Sequence, residues 1–305
     1  MSLMQMDSLL SLPTAELVSI ADKTRRELVP PKLELCGIIN AKSGLCSEDC
    51  KFCAQSSRHK AEISTYSLKD KAEIVRAAQI AKETGAERLG IVTSGNRLTE
   101  QELDVLAQAT QEINDKVGIA VCGSLGALTK NELGILKDAG LSRYHHNIET
   151  SPRFYSQIVS THSFQQRIDT IDSAKAVGME VCSGGIIGMG ETWQDRIAMA
   201  NVLNELDVDS VPINFLIPIQ GTAMASLETI SCNDAIRTIA LFRIILGHKT
   251  IRLAAGRESV LKDFQGMAFM AGANGMMIGG YLTVGGRLVE EDHRLVKEIN
   301  SLWTE

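Results

Sequence analysis

Between residues 34 and 280 a short apolar segment rich in β-branched residues repeatedly gives way to a longer helical one. The strand-like segments are Leu35–Asn40, Arg88–Thr93, Gly118–Cys122, Arg143–Ile148, Glu180–Ile187, Ser210–Phe215, Thr250–Ala254 and Gly275–Ile278. Eight such units in a chain of 305 residues predict an α/β fold, a (β/α)8 TIM-type barrel. A doubly wound sheet is the alternative. It usually needs fewer strands, and no linker or low-complexity stretch divides this chain.

Local signals agree with that rhythm. Thr99 precedes Glu102, Thr129 precedes Glu132 and Ser163 precedes Gln166, each pair spaced for a capping box at a helix start. Gly85, Gly140, Gly178 and Gly247 stand where helices should stop. Residues 1–33 read as an N-terminal helical extension and residues 34–305 as the barrel with its C-terminal tail. After Tyr281 the tail is expected to be irregular, then helical from about Glu290 to Leu302.

Hydrophobic residues at 44% and charged residues at 22% exclude a disordered or fibrous chain. A net charge of -6 removes a global basic footprint for nucleic acid or an anionic membrane. The N-terminus has no secretory pattern, and no apolar run approaches the roughly 18 residues that span a bilayer. A cytoplasmic location is expected. In such a reducing compartment, seven cysteines point to metal binding, redox chemistry or burial rather than disulfides.

Three of them form C-x3-C-x2-C: Cys46, Cys50 and Cys53 in the segment GLCSEDCKFCAQSSR. The segment follows the first predicted strand, which in a barrel places it at the C-terminal mouth, where catalytic groups gather. Three close thiols can hold three irons of a [4Fe–4S] cube and leave the fourth open to a chelating ligand. Structural zinc is the other use of clustered thiols. Zinc takes a fourth ligand and is usually held by paired C-x2-C knuckles, and no second knuckle is present.

C-x3-C-x2-C with Phe52 before its last cysteine resembles the signature of the radical S-adenosylmethionine (SAM) superfamily. The segments AKSGLCSEDCKFCAQSSR, YHHNIETSPRFY, FQQRIDT, VCSGGIIGMGET, SVPINFL, IRTIA, IRLAAGRE and MAGAN follow one another as in the biotin synthase family, over roughly residues 34–292. The resemblance implies insertion of sulfur between C6 and C9 of dethiobiotin. It implies a [4Fe–4S] cluster whose open iron binds SAM and reduces it to methionine and a 5′-deoxyadenosyl radical. That radical takes hydrogen from an unactivated carbon, a step no side chain can perform. An auxiliary iron–sulfur cluster is implied as sulfur donor, a flavodoxin or ferredoxin as electron donor, and a homodimer as the assembly.

The resemblance also assigns residues. Gly184, Ile186, Gly188 and Glu191 fit G-x-I-x-G-x-x-E, which supports the SAM adenine; a Gly-rich strand end packed for close approach is the plainer reading. Arg167 matches an arginine facing the SAM carboxylate, a role its planar fork suits; otherwise it is a helix-surface charge. Asn147 and Glu149 lie two apart on the predicted fourth strand and so share a face. They match an Asn and an Asp at the SAM ribose, the Asn also reaching the substrate's ureido ring. Asn214 matches a second amide on that ring; amides donate and accept, as a cyclic urea requires. His145 is either a polar core residue or a substrate contact. Thr93, Ser94 and Gly95 end the second strand as partners for the SAM amino group.

Two departures follow. In the best-known relatives the auxiliary cluster is [2Fe–2S], held by three cysteines and an arginine. Cys122, Cys182 and Arg252 match three of these ligands, but Gly90 stands where the remaining cysteine should be. Cys36 occurs instead on the first strand. Cys36, Cys122, Cys182 and Arg252 fall on strands 1, 3, 5 and 7, and inward side chains of alternate barrel strands meet in one layer. All four are therefore expected around one second cluster, of unfixed nuclearity; a buried apolar Cys36 is the alternative. Where relatives receive the substrate carboxylate on Thr-Thr, this chain has Gly285–Gly286 and then Arg287; a glycine turn's N–H groups could serve. Cys232, at an expected helix start, reads as structural. Competing functions are a related radical SAM enzyme acting on another small substrate, of mutase or hydrogenase-maturation type, and a non-catalytic iron–sulfur or zinc scaffold.

Overall fold

Parallel strands close on themselves in the computed structural model, which describes residues 8–280 and 286–304. The strands are β1 (Glu34–Lys42), β2 (Arg88–Thr93), β3 (Ala120–Ser124), β4 (Arg143–His145), β5 (Glu180–Cys182), β6 (Gly185–Ile187), β7 (Ser210–Phe215), β8 (Thr250–Leu253) and β9 (Gly275–Met277). They pair in the order β5-β4-β3-β2-β1-β9-β8-β7-β6, and a further β5–β7 pairing, Cys182 opposite Ser210, closes the ring. β5 and β6 are two halves of one stave, both bonded to β7. The structure is thus an eight-stave (β/α)8 barrel.

Three strands differ from expectation for local reasons. The Glu180–Ile187 stave breaks at Ser183–Gly184, where the backbone presses on β7: a Cβ on Gly184 would lie 2.0 Å from the Pro212 carbonyl oxygen. β3 starts at Ala120 because the preceding helix ends in a π-turn, Ile113–Val117, capped by Gly118 in the left-handed region (φ 67°). β4 stops at His145, since Glu149 adopts φ 66° and turns the chain. The chain nonetheless keeps to the fifth stave through Glu149 N–H to Gly184 O (3.1 Å) and Ile186 N–H to Glu149 O (2.9 Å).

The crossover helices are α2 (Lys71–Glu83), α3 (Glu100–Glu112), α4 (Lys130–Asp138), α5 (Pro152–Ile158), α6 (Phe164–Ala176), α7 (Trp193–Glu205), α8 (Cys232–Leu246), α9 (Arg257–Leu261) and α10 (Gln265–Met270), with α1 (Thr14–Leu28) before and α11 (Val289–Thr304) after the barrel. Reciprocal capping boxes form at Thr99/Glu102 and Thr129/Glu132; Ser163 caps Gln166 N–H without a reciprocal bond. Asp70/Glu73 and Thr192/Asp195 form two boxes that the sequence reading did not single out. The apolar core lies between staves and helices, with Leu106, Leu136, Ile171, Leu203, Ile239 and Phe269 fully buried against the sheet's outer face. Burial there is the main driving force for closure.

The flanking helices are moored by arginines. Arg237 of α8 donates to the carbonyls of Leu12 (2.8 Å) and Leu10 (2.7 Å), and α1 packs along α8. Arg257, fully buried, forks onto Asp292 of α11 at 2.8 and 2.7 Å. Tyr281, Gly285 and the residues between them lie outside the described residues. Among the described residues no helix is long and apolar enough to cross a membrane.

Candidate functional site

The barrel holds a cavity of about 410 Å³ running from the mouth towards the floor, its thiols, guanidiniums and amides set among apolar side chains. At the mouth, the loop after β1 folds back on itself. Cys46 N–H donates to Gln55 O (3.0 Å) and Ser57 N–H to Cys46 O (2.8 Å); Cys53 N–H donates to Cys50 O (2.9 Å). Gln55 accepts from Gly44 N–H (3.0 Å), and Ser94 donates to Gly44 O (2.8 Å). Asp49 fastens the far side by accepting from the backbone N–H groups of Ser160 (2.9 Å) and Thr161 (3.2 Å). The result presents Cys46, Cys50 and Cys53 as free thiols on one wall of the cavity. Burial pushes the Cys50 thiol up, and the Cys53 thiol to about 11. Such thiols give up their protons when a cation replaces them. Phe52 packs against an apolar cluster that includes Phe154, Tyr155 and Leu216, sealing the loop against the barrel.

The same cavity gathers Asn147, Glu149, Arg167, Ile186, Asn214 and His145. Asn147 and Glu149 meet as expected (Nδ2 to Oε2, 3.4 Å), but through the turn after β4 and not through strand pleating. Asn147 Oδ1 accepts from Gly184 N–H (3.1 Å). Asn214 donates to Gly185 O (3.2 Å) and accepts from Ala255 N–H (3.2 Å). Each amide keeps a further proton and lone pair to offer. Burial raises the Glu149 carboxyl above its usual range against the pull of Arg167. Arg167 is no surface charge: it turns inward, with Nε donating to the Tyr155 hydroxyl (3.1 Å) and Nη2 3.3 Å from His162 Nε2.

The glycine motif resolves into packing and lining. Ile186 lines the cavity. Gly184 is required by the Pro212 carbonyl, and Gly188 by a φ of 100°. Glu191 accepts from the N–H groups of Gly188 (2.9 Å) and Met189 (2.8 Å) and pairs with Arg196 (2.8 Å), so it braces the loop behind the wall. Thr93, Ser94 and Gly95 also line the cavity; the buried Thr93 hydroxyl has no partner.

At the floor, Cys36, Cys122, Cys182 and Arg252 all face the cavity. Arg252 Nη1 lies 3.6 Å from Cys182 Sγ, and its buried Nε has no partner. Burial alone would raise the Cys182 thiol, but His145, Arg252 and Arg143 overcome it and bring it down to about 6. Cys36 and Cys122 are raised by burial, the latter to about 11. Gly90 sits opposite Cys122 in the ladder and contributes no side chain. The layer is not made by odd staves alone. Arg88 of β2 and Arg143 of β4 also line it, and Glu34 pairs with Arg143 (2.8 Å), Arg88 (3.7 Å) and Arg252. The sequence reading missed these residues because each opens a strand, where a charge is ordinarily solvated; parity with Cys36, Gly90 and His145 was the available signal.

Cys232 opens α8 on the outer side, its sulfur 3.8 Å from the Leu261 carbonyl, remote from the cavity and structural as expected. Arg287 is ion-paired with Glu291 (3.3 Å). Among the described residues no three His, Cys, Asp or Glu side chains are spaced to hold a single metal ion.

Residues 42–203 match the Radical SAM superfamily, and residues 212–301 match the Biotin and Thiamin Synthesis associated domain. The biotin synthase of Thermotoga petrophila is 49% identical over 98% of this chain and 99% of its own. That of Thermotoga neapolitana is 51% identical over 89% of this chain and 97% of its own. In fold, the crystal structure of methylornithine synthase (PylB) superposes with a TM-score of 0.82 at 20% identity, covering 96% of this chain and 91% of that one. The FeFe-hydrogenase maturase HydG from Carboxydothermus hydrogenoformans gives 0.82 at 20% identity, covering 98% and 75%. Sequence likeness over nearly the full length, carried on a barrel with this cavity, establishes that the chain belongs to the biotin synthase family of the radical SAM superfamily.

Proposed function

We propose that this protein converts dethiobiotin to biotin by radical insertion of sulfur, using two iron–sulfur clusters in one barrel. The observation that carries the reading is the pair of thiol sets on a single cavity, Cys46, Cys50 and Cys53 at the mouth and Cys36, Cys122 and Cys182 with Arg252 at the floor. When bound, the mouth cluster with SAM supplies a hydrogen-abstracting radical and the floor cluster supplies sulfur.

The donor sets suit these groups. Three thiols are one fewer than structural zinc takes, and on a cube they leave one iron open. At the floor, the orphaned buried Nε of Arg252 and the guanidiniums of Arg88 and Arg143 oppose the charge that several thiolates would bring into a buried site. Gly90 leaves room beside Cys122, and Cys36 replaces the lost ligand.

The remaining side chains bind, orient and exclude water. Arg167 would hold the SAM carboxylate, and Asn147 and Glu149 the ribose. Ile186 would support the adenine, with Gly184 and Gly188 fixing the backbone behind it, and Phe52 would shield the mouth thiols. Asn147 and Asn214 offer their free amide protons and lone pairs to the ureido ring between the two thiol sets, which holds the reacting carbons near both. Family membership supports a flavodoxin or ferredoxin as reductant, a homodimer, a cytoplasmic location, and residues 1–33 as an extension to a barrel domain spanning 34–305.

Replacement of Cys46, Cys50 or Cys53 by Ala tests the mouth assignment. Each variant should lose formation of 5′-deoxyadenosine from SAM under anaerobic reduction. A variant that cleaves SAM at the parent rate overturns it.

A further inference from the structure

Beside the mouth thiols lies a hydrogen-bonded chain in which His162 and Tyr155 have no part in the reaction as proposed. The His162 ring, with its side chain 3% exposed, sits between Cys50 and Tyr155. Its Nε2 is 3.6 Å from Cys50 Sγ, and its Nδ1 is 2.8 Å from the Tyr155 hydroxyl. That hydroxyl accepts from Arg167 Nε at 3.1 Å. One end of the chain has a fixed direction. A guanidinium has no acceptor, so Arg167 must donate to Tyr155. The phenolic proton can then go to His162 Nδ1, which puts the ring's own proton on Nε2, facing the sulfur; while Arg167 Nη2 donates to Nε2, that proton sits on Nδ1 instead.

Two further groups face Nε2. Glu48 Oε2, at 3.6 Å, favours a proton there. Arg167 Nη2, at 3.3 Å, competes as a donor. A carboxylate bound by Arg167 would draw Nη2 away and leave Nε2–H to the Cys50 sulfur. Tyr155 is pinned in turn, its ring edge-on to Phe164 at 5.4 Å between centroids.

We propose that His162 is a positioning residue for the mouth cluster: it donates an N–H to the Cys50 sulfur and is aimed by Tyr155, so that the arginine serving SAM and the cluster ligand share one relay. This rests on the reading of Cys50 as an iron ligand. Hydrogen bonds to ligand sulfurs stabilise the more negative, reduced cluster and raise its potential. His162 therefore eases the electron's arrival, and engagement of Arg167 by SAM strengthens that effect.

The test is a redox titration of the anaerobically reconstituted protein, followed by the electron paramagnetic resonance of the reduced cluster, for the parent, His162→Gln, His162→Phe and Tyr155→Phe. His162→Phe keeps ring volume without a donor and should shift the midpoint to more negative potential at unchanged iron content. His162→Gln retains an N–H and should stay near the parent, and Tyr155→Phe should shift the same way by less. Equal shifts in the Gln and Phe variants, or a parent-like potential in His162→Phe, overturn the proposal. If His162→Phe does not retain iron, Tyr155→Phe decides, and an unchanged midpoint there overturns it. Failure of the parent to hold a cluster would instead count against the function proposed above.

Discussion

The Arg252 guanidinium reaches the sulfur of Cys182 at 3.6 Å with Nη1 while its other terminal nitrogen is ion-paired with Glu34. One strand-opening carboxylate thus aims the guanidinium, and the guanidinium meets a thiol two staves away in the ladder. The same Glu34 holds Arg143 at 2.8 Å, so the floor is a preassembled cationic wall around Cys36, Cys122 and Cys182. Burial works against the Glu34 carboxyl, but Arg252, Arg143 and Arg88 keep it below its usual range.

Cys36 is the residue that distinguishes this floor. Cys36→Ala should retain SAM cleavage, because the mouth thiols are untouched, while the second set of iron and sulfide is lost and biotin formation with it. Iron and sulfide analysis beside 5′-deoxyadenosine and biotin yields reads all three. A Cys36→Ala protein with full iron and parent biotin yield removes Cys36 from the ligand set.

Asn214 ties Gly185 O to Ala255 N–H and so joins the split fifth stave to the end of β8 while facing the cavity. Asn214→Ala leaves those backbone groups and the substrate's urea unpaired, each a loss of about 1–3 kcal/mol. Dethiobiotin-dependent turnover should fall further than SAM affinity. Equal losses of both, measured by turnover and by SAM titration, would make Asn214 purely structural.

How far this was readable beforehand depended on where each residue's signal lies. Alternation gives the staves, since period and turn chemistry are local; the break at Ser183–Gly184 depends on the Pro212 carbonyl of another stave and is silent in the segment itself. Cys46, Cys50 and Cys53 carry their own spacing. Parity brings Cys36, Cys122, Cys182 and Arg252 to one cavity, and the structure places them there. Glu34, Arg88 and Arg143 carry no motif, because their partners are brought in by barrel closure. Asp195 was missed in the same way: it opens α7 as an ordinary cap but also reaches back to α5.

Asp195 accepts from Thr192 N–H (2.9 Å), the Ser151 hydroxyl (2.6 Å) and Arg153 Nε (3.1 Å). Burial alone would raise this carboxyl; its donors outweigh it and hold it at about 2. A depressed carboxylate stabilises the fold above its ordinary pKa near 4, and that stability is lost as pH falls from about 4 to about 2. Asp195→Asn should cost about 1–2 kcal/mol at pH 7. Urea melts at both pH values should show the gap to the parent closing in acid; a pH-independent gap contradicts this.

The most direct measurement is anaerobic incubation of the reconstituted protein with SAM, a low-potential reductant and dethiobiotin, followed by mass spectrometry. The two thiol sets on one cavity predict 5′-deoxyadenosine whose formation rises with dethiobiotin, and biotin as the product. SAM cleavage that is indifferent to dethiobiotin, with no biotin formed by protein carrying both sets of iron, would contradict the account.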